Sequence, residues 1–227
     1  MRIDIAKTWF MRALHPISTI KYIQYLHSKN IAYNIAVVDA EYAWLLDKAV
    51  PNTAILDIGA FDGDTALLFS LFPNISEVIS FEPDARIFNE AKRNLKGSKN
   101  IHKNKIKLHN LAIGKDLIKE RPRMGLSPKD HTSKTISLNK AIAMTKKKII
   151  IKSDCESGEY SIFTRAVNLS RVYAMQIEYH EGPKDLPKIL REKGFKVTVG
   201  PEHKIRDENT FYQIGYIYAE RSKYIKN

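Results

Sequence analysis

From Pro51 onward, short apolar runs alternate with segments of helical periodicity, and this alternation restricts the fold more than any other feature. Seven β-strands are predicted, at 54–58, 78–81, 106–108, 148–152, 172–179, 195–199 and 211–218. The predicted helices between them are at 65–72, 85–95, 160–167 and 185–193. Strands that alternate with helices form mostly parallel sheets with helices on both faces. We therefore expect an α/β protein with a doubly wound, mostly parallel, seven-stranded sheet.

The last two predicted strands follow each other without a helix. Residues 200–209 connect them, and a connection without a crossover helix favours an antiparallel pair at one edge of the sheet. This ending distinguishes the predicted sheet from the ordinary dinucleotide-binding fold.

The first 50 residues show apolar side chains at helical spacing in two or three pieces. Their polar residues do not form a purely basic face, so a layer packed on the main domain is favoured over a membrane-surface helix. The expected organisation is an N-terminal helical cap at 1–50 and a Rossmann-like domain at 51–227. Within that domain, residues 114–136 contain prolines and little apolar sequence, which predicts a loop or lid.

A glycine-containing turn, DIGAFDGDT at 57–65, follows the first predicted strand. Glycines at such a position let the backbone approach a nucleotide closely. The spacing is Gly-x-x-x-Gly, and the carboxylates of Asp57, Asp62 and Asp64 would repel a pyrophosphate. They suit a cofactor without phosphate that carries positive charge, and S-adenosylmethionine has a sulfonium and an ammonium group. Capping of the next helix is the alternative role of Asp62. The candidate cofactor residues of this turn are Asp57, Gly59, Phe61, Asp62 and Gly63.

The second predicted strand ends in an acidic residue, Glu82, which Pro83 follows. An acidic side chain at this strand end can accept both ribose hydroxyls of an adenosine. Acidic residues are common at strand ends, but this one lies 25 residues after Asp57 in the chain. The combination with the glycine turn predicts an adenosine-binding crevice.

Charged residues also follow the fourth and fifth predicted strands, in KSDCESGEY at 152–160 and QIEYH at 176–180. Asp154 falls at the carboxyl end of the strand expected beside the first one, and so opens onto the same crevice. Alternation along the following strand puts Glu178 and His180 on one face. A carboxylate and an imidazole could then act as a general base or hold a hard divalent metal such as Mg²⁺. Asp154, Glu178 and His180 are the candidate catalytic residues, with a structural role as the alternative for His180.

Together these stretches resemble the FkbM family of S-adenosylmethionine-dependent methyltransferases over about residues 52–220. The turn at 57–65 is similar to the family's glycine loop, and Phe81-Glu82-Pro83 to its ribose-binding strand end. Residues 110–114 are similar to its segment near the adenine. The most specific likeness is KSDCESGE at 152–159, which is similar to Lys-x-Asp-x-Glu-Gly-x-Glu, although Ser-Gly stands here where the family usually has Gly and a small residue.

The resemblance implies a class I methyltransferase that binds the ribose near Glu82 and Pro83 and the adenine near Asn110 and Ala112. It also implies methylation of a hydroxyl oxygen on a sugar, a glycan or a small metabolite, in some members with a divalent metal.

The formal net charge is +12, from 37 Lys and Arg against 25 Asp and Glu. Residues 84–152 contain 19 of the basic and 5 of the acidic residues, so the positive excess is local. We expect this region to border one side of the crevice and to favour an anionic acceptor. One alternative is an RNA or tRNA methyltransferase, which the positive net charge favours. Another is a non-catalytic module that binds an anion. The sequence leaves the oligomeric state open.

Cys155 is the only cysteine, so no disulfide can close within the chain. The N-terminus, MRID, has no apolar run behind it, and no uncharged apolar stretch approaches the roughly 18 residues that span a bilayer. The expectation is a cytoplasmic protein without a membrane span.

Overall fold

The computed structural model describes residues 15–28, 41–98, 102–114, 134–156, 158–207 and 210–221. The strands in these ranges are β1 (Thr53–Ile58), β2 (Ile75–Phe81), β3 (Ile106–His109), β4 (Ala112–Ile113), β5 (Thr135–Ile136), β6 (Lys148–Ser153), β7 (Val172–Tyr179), β8 (Lys196–Val199), β9 (His203–Asp207) and β10 (Thr210–Glu220). The helices are α1 (Pro16–Ser28), α2 (Ala43–Asp47), α3 (Asp64–Leu71), α4 (Ala85–Gly97), α5 (Leu138–Ala143), α6 (Glu159–Ile162) and α7 (Leu186–Glu192).

The central sheet has the strand order β3-β2-β1-β6-β7-β10-β8. Strands β3, β2, β1, β6 and β7 pair in parallel, whereas β10 runs antiparallel to both β7 and β8. The doubly wound, mostly parallel sheet with an antiparallel edge is therefore confirmed. The last strand, β10, lies between β7 and β8, so β8 is the edge strand on this side of the sheet. Residues 210–214 of β10 pair with β9.

Both faces of the sheet are covered, which explains why its central strands read as continuous apolar runs. All residues of β1 and β7 are buried. On one face, Ile58 and Ile151 pack in a cluster that includes residues of α5 and α7. On the other face, Ile55 packs with residues of α2 and α3. Because the two faces bury different side chains of the same strands, the register of the sheet is fixed and the strand ends meet at one edge.

Two helices lie within the predicted N-terminal cap. Four residues of α2 are buried against the second face of the sheet. Helix α1 is joined to α2 by two bonds to Asp47, from Ser18 Oγ (3.0 Å) and from Lys21 Nζ (2.8 Å). The parts of the predicted cap at 1–14 and 29–40 lie outside the described residues, and the division at residue 50 stays a prediction.

Three local predictions need correction. The helix predicted at 160–167 ends at Ile162, because Phe163 and Val167 reach the core from turns instead of a continued helix. The loop predicted at 114–136 includes strand β5, which pairs in parallel with β4, while 115–133 lie outside the described residues. The connection at 200–209 contains a further strand, β9, that was not predicted. Among the described helices, none combines the length and apolar character needed to cross a membrane.

Candidate functional site

The carboxyl ends of β2, β1, β6 and β7 meet at one edge of the sheet and bring the predicted residues together. Asp57 of β1 lies beside Ser80 of β2 and Lys152 of β6, and Lys152 lies beside Gln176 of β7. The order of connections reverses between β1 and β6, and parallel sheets bind ligands at this switch point.

The turn after β1 has a shape that only glycine permits at position 59. Gly59 has φ +79°, and a Cβ atom on it would overlap the carbonyl oxygen of Asp154. The backbone N–H groups of Gly59 and Ala60 both donate to the carbonyl oxygen of Phe81 at 3.0 Å. Gly63 also has a left-handed backbone, with φ +86°, directly before α3. The turn is therefore held against the ends of both neighbouring strands.

Asp57 has no exposed surface and is surrounded by partners. Its Oδ2 accepts hydrogen bonds from Thr65 Oγ1 (2.9 Å) and Ser80 Oγ (3.0 Å), and its Oδ1 lies 3.4 Å from Lys152 Nζ. Lys152 Nζ also donates to the carbonyl oxygen of Gly59 at 2.5 Å. Burial is the largest influence and would lower the pKa of Lys152, but the neighbouring negative charges, Asp57 first and then Asp154, Asp64 and Glu41, together raise the pKa above its ordinary value. Asp57 and Lys152 thus hold the glycine turn, a role of Lys152 that sequence reasoning missed.

Glu82 is fully buried and connects the glycine turn to the end of β2. Its Oε2 accepts from the N–H of Phe61 (3.1 Å) and its Oε1 from the N–H of Asp84 (2.8 Å). The amide of Asn110 donates to the carbonyl oxygens of Glu82 (2.9 Å) and Pro83 (2.8 Å). The structure therefore brings Phe61, Glu82, Pro83 and Asn110 together, with the ring of Phe61 55% exposed at this edge.

Two further predicted cofactor residues are Asp62, in the glycine turn, and Ala112, in strand β4. Asp62 does not cap α3, because Gly63 occupies the N-cap position; its Oδ1 accepts a bond from the N–H of Asp64 (3.3 Å). Burial and the charge of Asp62 raise the pKa of Asp64 to about 6. Ala112 is buried in the short β4–β5 pair that follows β3. The turn is thus acidic where a dinucleotide site would need a positive environment.

His180 follows β7 and lies between carboxylates from two directions. Its Nδ1 is 2.8 Å from Oε1 of the buried Glu159, and its Nε2 is 3.7 Å from Asp154 Oδ1 and 4.0 Å from Glu156 Oε2. Burial alone would lower the pKa of His180, but the bond to Glu159 and the neighbouring negative charges raise it to about 9. The imidazole is therefore a cation near neutral pH. The predicted convergence of Asp154 and His180 is present in the structure, and Glu159 completes it.

Glu178 is buried on β7, opposite Tyr216 of β10. Burial and the charges of Glu178 and Glu41 raise the pKa of Tyr216 above its ordinary value. Tyr216 donates its hydroxyl to Glu41 Oε1 at 2.8 Å, just before α2. Glu178 is near enough to His180 to help raise its pKa, so it adds negative charge to the same region. Among the described residues, no group of three or more His, Cys, Asp or Glu side chains is arranged to hold a metal ion.

The turn after β6 contains the positions at which the sequence departs from the resembled motif. Glu156, not Gly158, has the left-handed backbone, with φ +52°. Gly158 is closely packed, since a Cβ on it would lie 3.1 Å from Cys155 Sγ.

Part of the basic region lies at the opposite end of the sheet from the crevice. Lys148 begins β6 and the other two lysines of 146–148 directly precede it; at about 3.3 Å per residue the start of that strand is roughly 17 Å from its carboxyl end. Nearby, Glu77 accepts from Lys107 Nζ at 2.6 Å and lies 3.8 Å from Lys147 Nζ. The expectation that this part of the region borders the crevice was wrong. The basic residues of 115–133 lie outside the described residues.

No protein-family model matches the sequence, and no curated protein matches it, so the resemblance to the FkbM family stays a prediction. Several solved structures are similar in fold. They include precorrin-6y C5,15-methyltransferase from Geobacter metallireducens, with 12% identity, 84% of this chain and 92% of that chain covered, and a TM-score of 0.48. M. capricolum TrmK, in complex with S-adenosyl-homocysteine, has 12% identity, coverages of 84% and 69%, and a TM-score of 0.45. The METTL16 methyltransferase domain has 16% identity, coverages of 84% and 69%, and a TM-score of 0.49. Because all three TM-scores are below 0.5, these similarities do not identify the function of this chain.

Proposed function

We propose that this protein is a class I methyltransferase that uses S-adenosylmethionine. The observation that carries the proposal is the glycine turn after β1, bonded to the buried Glu82 at the end of β2 and located at the switch point of the sheet. The antiparallel strand between β7 and β8 is the ending that separates this sheet from the dinucleotide-binding fold.

The residues of the crevice fit S-adenosylmethionine better than a dinucleotide. Asp62 and Asp64 lie where a pyrophosphate would otherwise bind, whereas the buried carboxylate of Asp57 is paired with Lys152. Glu82 follows β2 directly, the position at which an acidic side chain can accept the ribose hydroxyls of an adenosine. In this proposal the backbone around Gly59 holds the methionine end and Glu82 the ribose. Asn110 and Ala112 border the adenine, and Asp57 acts through the shape of the turn.

When bound, S-adenosylmethionine supplies a methyl group on a positively charged sulfur, which an acceptor oxygen can attack. Asp154 has 33% of its side chain exposed and is the group placed to take the proton of an acceptor hydroxyl. His180, a cation near neutral pH, lies 3.7 Å from Asp154 and stabilises its charge until the acceptor approaches. Above pH 9 the neutral imidazole can itself accept a proton. Positioning of the two reactants supplies much of the remaining rate.

We infer a hydroxyl acceptor that carries no negative charge next to the reacting oxygen, such as a neutral sugar, a glycan or a small alcohol. The described side chains on this side of the crevice are mainly carboxylates, among them Asp154, Glu156 and Glu178, and these would repel an anion. This argues against the anionic acceptor expected from composition and against a non-catalytic anion-binding module. More specifically, we propose O-methylation of the kind that the FkbM family catalyses. Methylation of RNA is the alternative, and the acceptor screen below distinguishes the two.

Calorimetric titration of S-adenosylmethionine tests the cofactor assignment. Glu82→Gln keeps the shape of the side chain but removes the charge, so it should weaken binding by about 10- to 100-fold, as expected for loss of hydrogen bonds to a charged group. Glu77→Gln is the matched control, because Glu77 lies near the start of β2, away from the end that Glu82 follows, and is paired with Lys107 and Lys147. It should leave the affinity unchanged. Absence of binding by the wild type, or equal binding by both variants, would refute the assignment.

A transfer screen with S-adenosylmethionine labelled in its methyl group tests the acceptor. The substrates are neutral sugars, acidic sugars, small alcohols and total RNA. We expect label in a neutral hydroxyl compound, and a loss of about 100-fold in Asp154→Asn with unchanged cofactor affinity. Asp185→Asn, at an exposed carboxylate directly before α7, is the control. Label confined to RNA would favour the RNA alternative.

A further inference from the structure

Glu159 is a buried carboxylate that the predicted catalytic set does not include. It begins α6, and its side chain has no exposed surface. Its Oε1 is 2.8 Å from His180 Nδ1, and no described residue bonds to its Oε2. Burial raises the pKa of Glu159, while the bond to His180 opposes that shift. Burying a carboxylate is costly, so a specific partner is needed to keep it ionised, and His180 is that partner.

The two nitrogens of His180 face different environments. Nδ1 points to the interior, where Glu159 is fully buried, whereas Nε2 points to carboxylates that are 33% (Asp154) and 55% (Glu156) exposed. From its own strand, Glu178 adds a further negative charge. The imidazole ring therefore lies between the fully buried carboxylate of Glu159 and the solvent-exposed side of the crevice. Hydrogen bonding at one ring nitrogen fixes which nitrogen carries the proton and how the ring is oriented.

We propose that Glu159 is a positioning residue, which holds Nδ1–H of His180 and so directs Nε2 toward Asp154 and the acceptor side of the crevice. This inference rests on the proposed function, which defines the side of the crevice that receives the methyl acceptor. In the neutral ring, the proton stays on Nδ1 and the lone pair on Nε2 faces the crevice. In the cationic ring, the Nε2–H faces Asp154 and can return a proton to it. No covalent step is involved, and the proton moves only between Nε2, Asp154 and the acceptor oxygen.

A pair of buried charges by itself says little about stability, since well-packed apolar side chains would serve as well. The geometry is what favours positioning. The interior carboxylate contacts only the nitrogen that faces away from the crevice, at 2.8 Å, and leaves the other nitrogen directed outward. A spectroscopic measurement on that one ring distinguishes positioning from packing.

Nuclear magnetic resonance of the full chain labelled with ¹⁵N-histidine tests the inference. The Nδ1 proton of His180 should give a low-field resonance, assigned by its absence in His180→Gln. Glu159→Gln should remove it or move it strongly upfield and lower the pKa of His180 by about one unit or more. Glu156→Gln is the matched control, because it removes one charge from the same turn, 4.0 Å from Nε2, without touching Nδ1. It should leave the resonance in place.

A second variant of Glu159 and a cofactor titration separate the positioning role from misfolding and from the proposed function. If Glu159→Gln does not fold, Glu159→Asp keeps the charge but shortens the side chain, and should also lose the resonance. Cofactor titration on the same samples should give equal affinity for the wild type and the Glu159 variants. A resonance that persists unchanged in either Glu159 variant would overturn the positioning role. Absence of cofactor binding by the wild type would instead overturn the proposed function, and with it the catalytic use of the pair.

Discussion

Replacement of Lys152 by Met removes the only cation that the described residues place against the buried carboxylate of Asp57. The lysine side chain is 2% exposed and the aspartate is fully buried, so water cannot replace the lost partner. Met matches the length of the lysine stem and fills most of its volume. The variant therefore removes the charge and the bond to Gly59 while it creates little new cavity.

The expected loss of stability follows from this geometry. Breaking a buried pair by removing one partner costs about 3 to 5 kcal/mol, because the other charge stays buried without compensation. Thr65 and Ser80 continue to donate to Asp57, which favours the lower end of that range. For a chain of this size, 1 kcal/mol corresponds to about 2–4 °C, so a loss near 3 kcal/mol should lower the melting temperature by roughly 6–12 °C.

A double-mutant cycle with urea unfolding measures the effect. The variants are Lys152→Met, Asp57→Asn and the double variant, and Lys148→Met at the exposed start of the same strand is the control. The double variant should recover about half or more of the loss, since it leaves no uncompensated charge. The control should change the free energy of unfolding by less than about 0.5 kcal/mol.

Two results would refute this reasoning. A double variant as unstable as the sum of the two single variants would show that the charges are not coupled. A Lys152→Met protein as stable as the wild type would show that Asp57 does not need a cation.

The remaining predictions concern the glycine turn, the histidine and a helix cap. Gly59→Ala should abolish cofactor binding or folding, because its Cβ would overlap backbone, whereas Gly97→Ala, with open space around it, should melt at or slightly above the wild-type temperature. The pKa of His180 rises from 6.5 to about 9 on folding, so this group stabilises the protein by about 3 kcal/mol below pH 6.5. That stability should disappear as the pH rises toward 9, and unfolding curves at pH 6 and 9.5 should differ less in His180→Gln than in the wild type. Asp84 accepts bonds from two N–H groups of the first turn of α4, so circular dichroism melts of Asp84→Ala should show a loss of about 1 kcal/mol.

Much of the secondary structure could be predicted because it depends on local patterns. The run of three isoleucines at 149–151 has to be buried on both faces, and it forms the centre of β6. The boundaries predicted for β7 are those of the structure. The short strands β4, β5 and β9 were missed, since runs of two to five residues are too short to give a clear period.

The functional residues were predictable where their role depends on position along a strand. Asp154 and His180 follow neighbouring parallel strands, so their proximity follows from the sheet order that the sequence favoured. Glu159 and Lys152 were visible in the sequence, but their partners were not. Those partners, His180 and Gly59, are 21 and 93 residues away in the chain, and only packing brings them within bonding distance.

By itself, the sequence determined that strands alternate with helices, that the turn after β1 needs glycine, and that carboxylates gather at strand ends. These properties follow from side-chain periodicity and backbone freedom, which neighbouring residues set. The tertiary structure alone decided that β10 lies between β7 and β8, that the lysines at 146–148 lie away from the crevice, and that Asp57 and His180 have buried partners. The reason is physical: charge and polarity are local properties of a sequence, but burial and pairing depend on which distant segments share a face of the sheet.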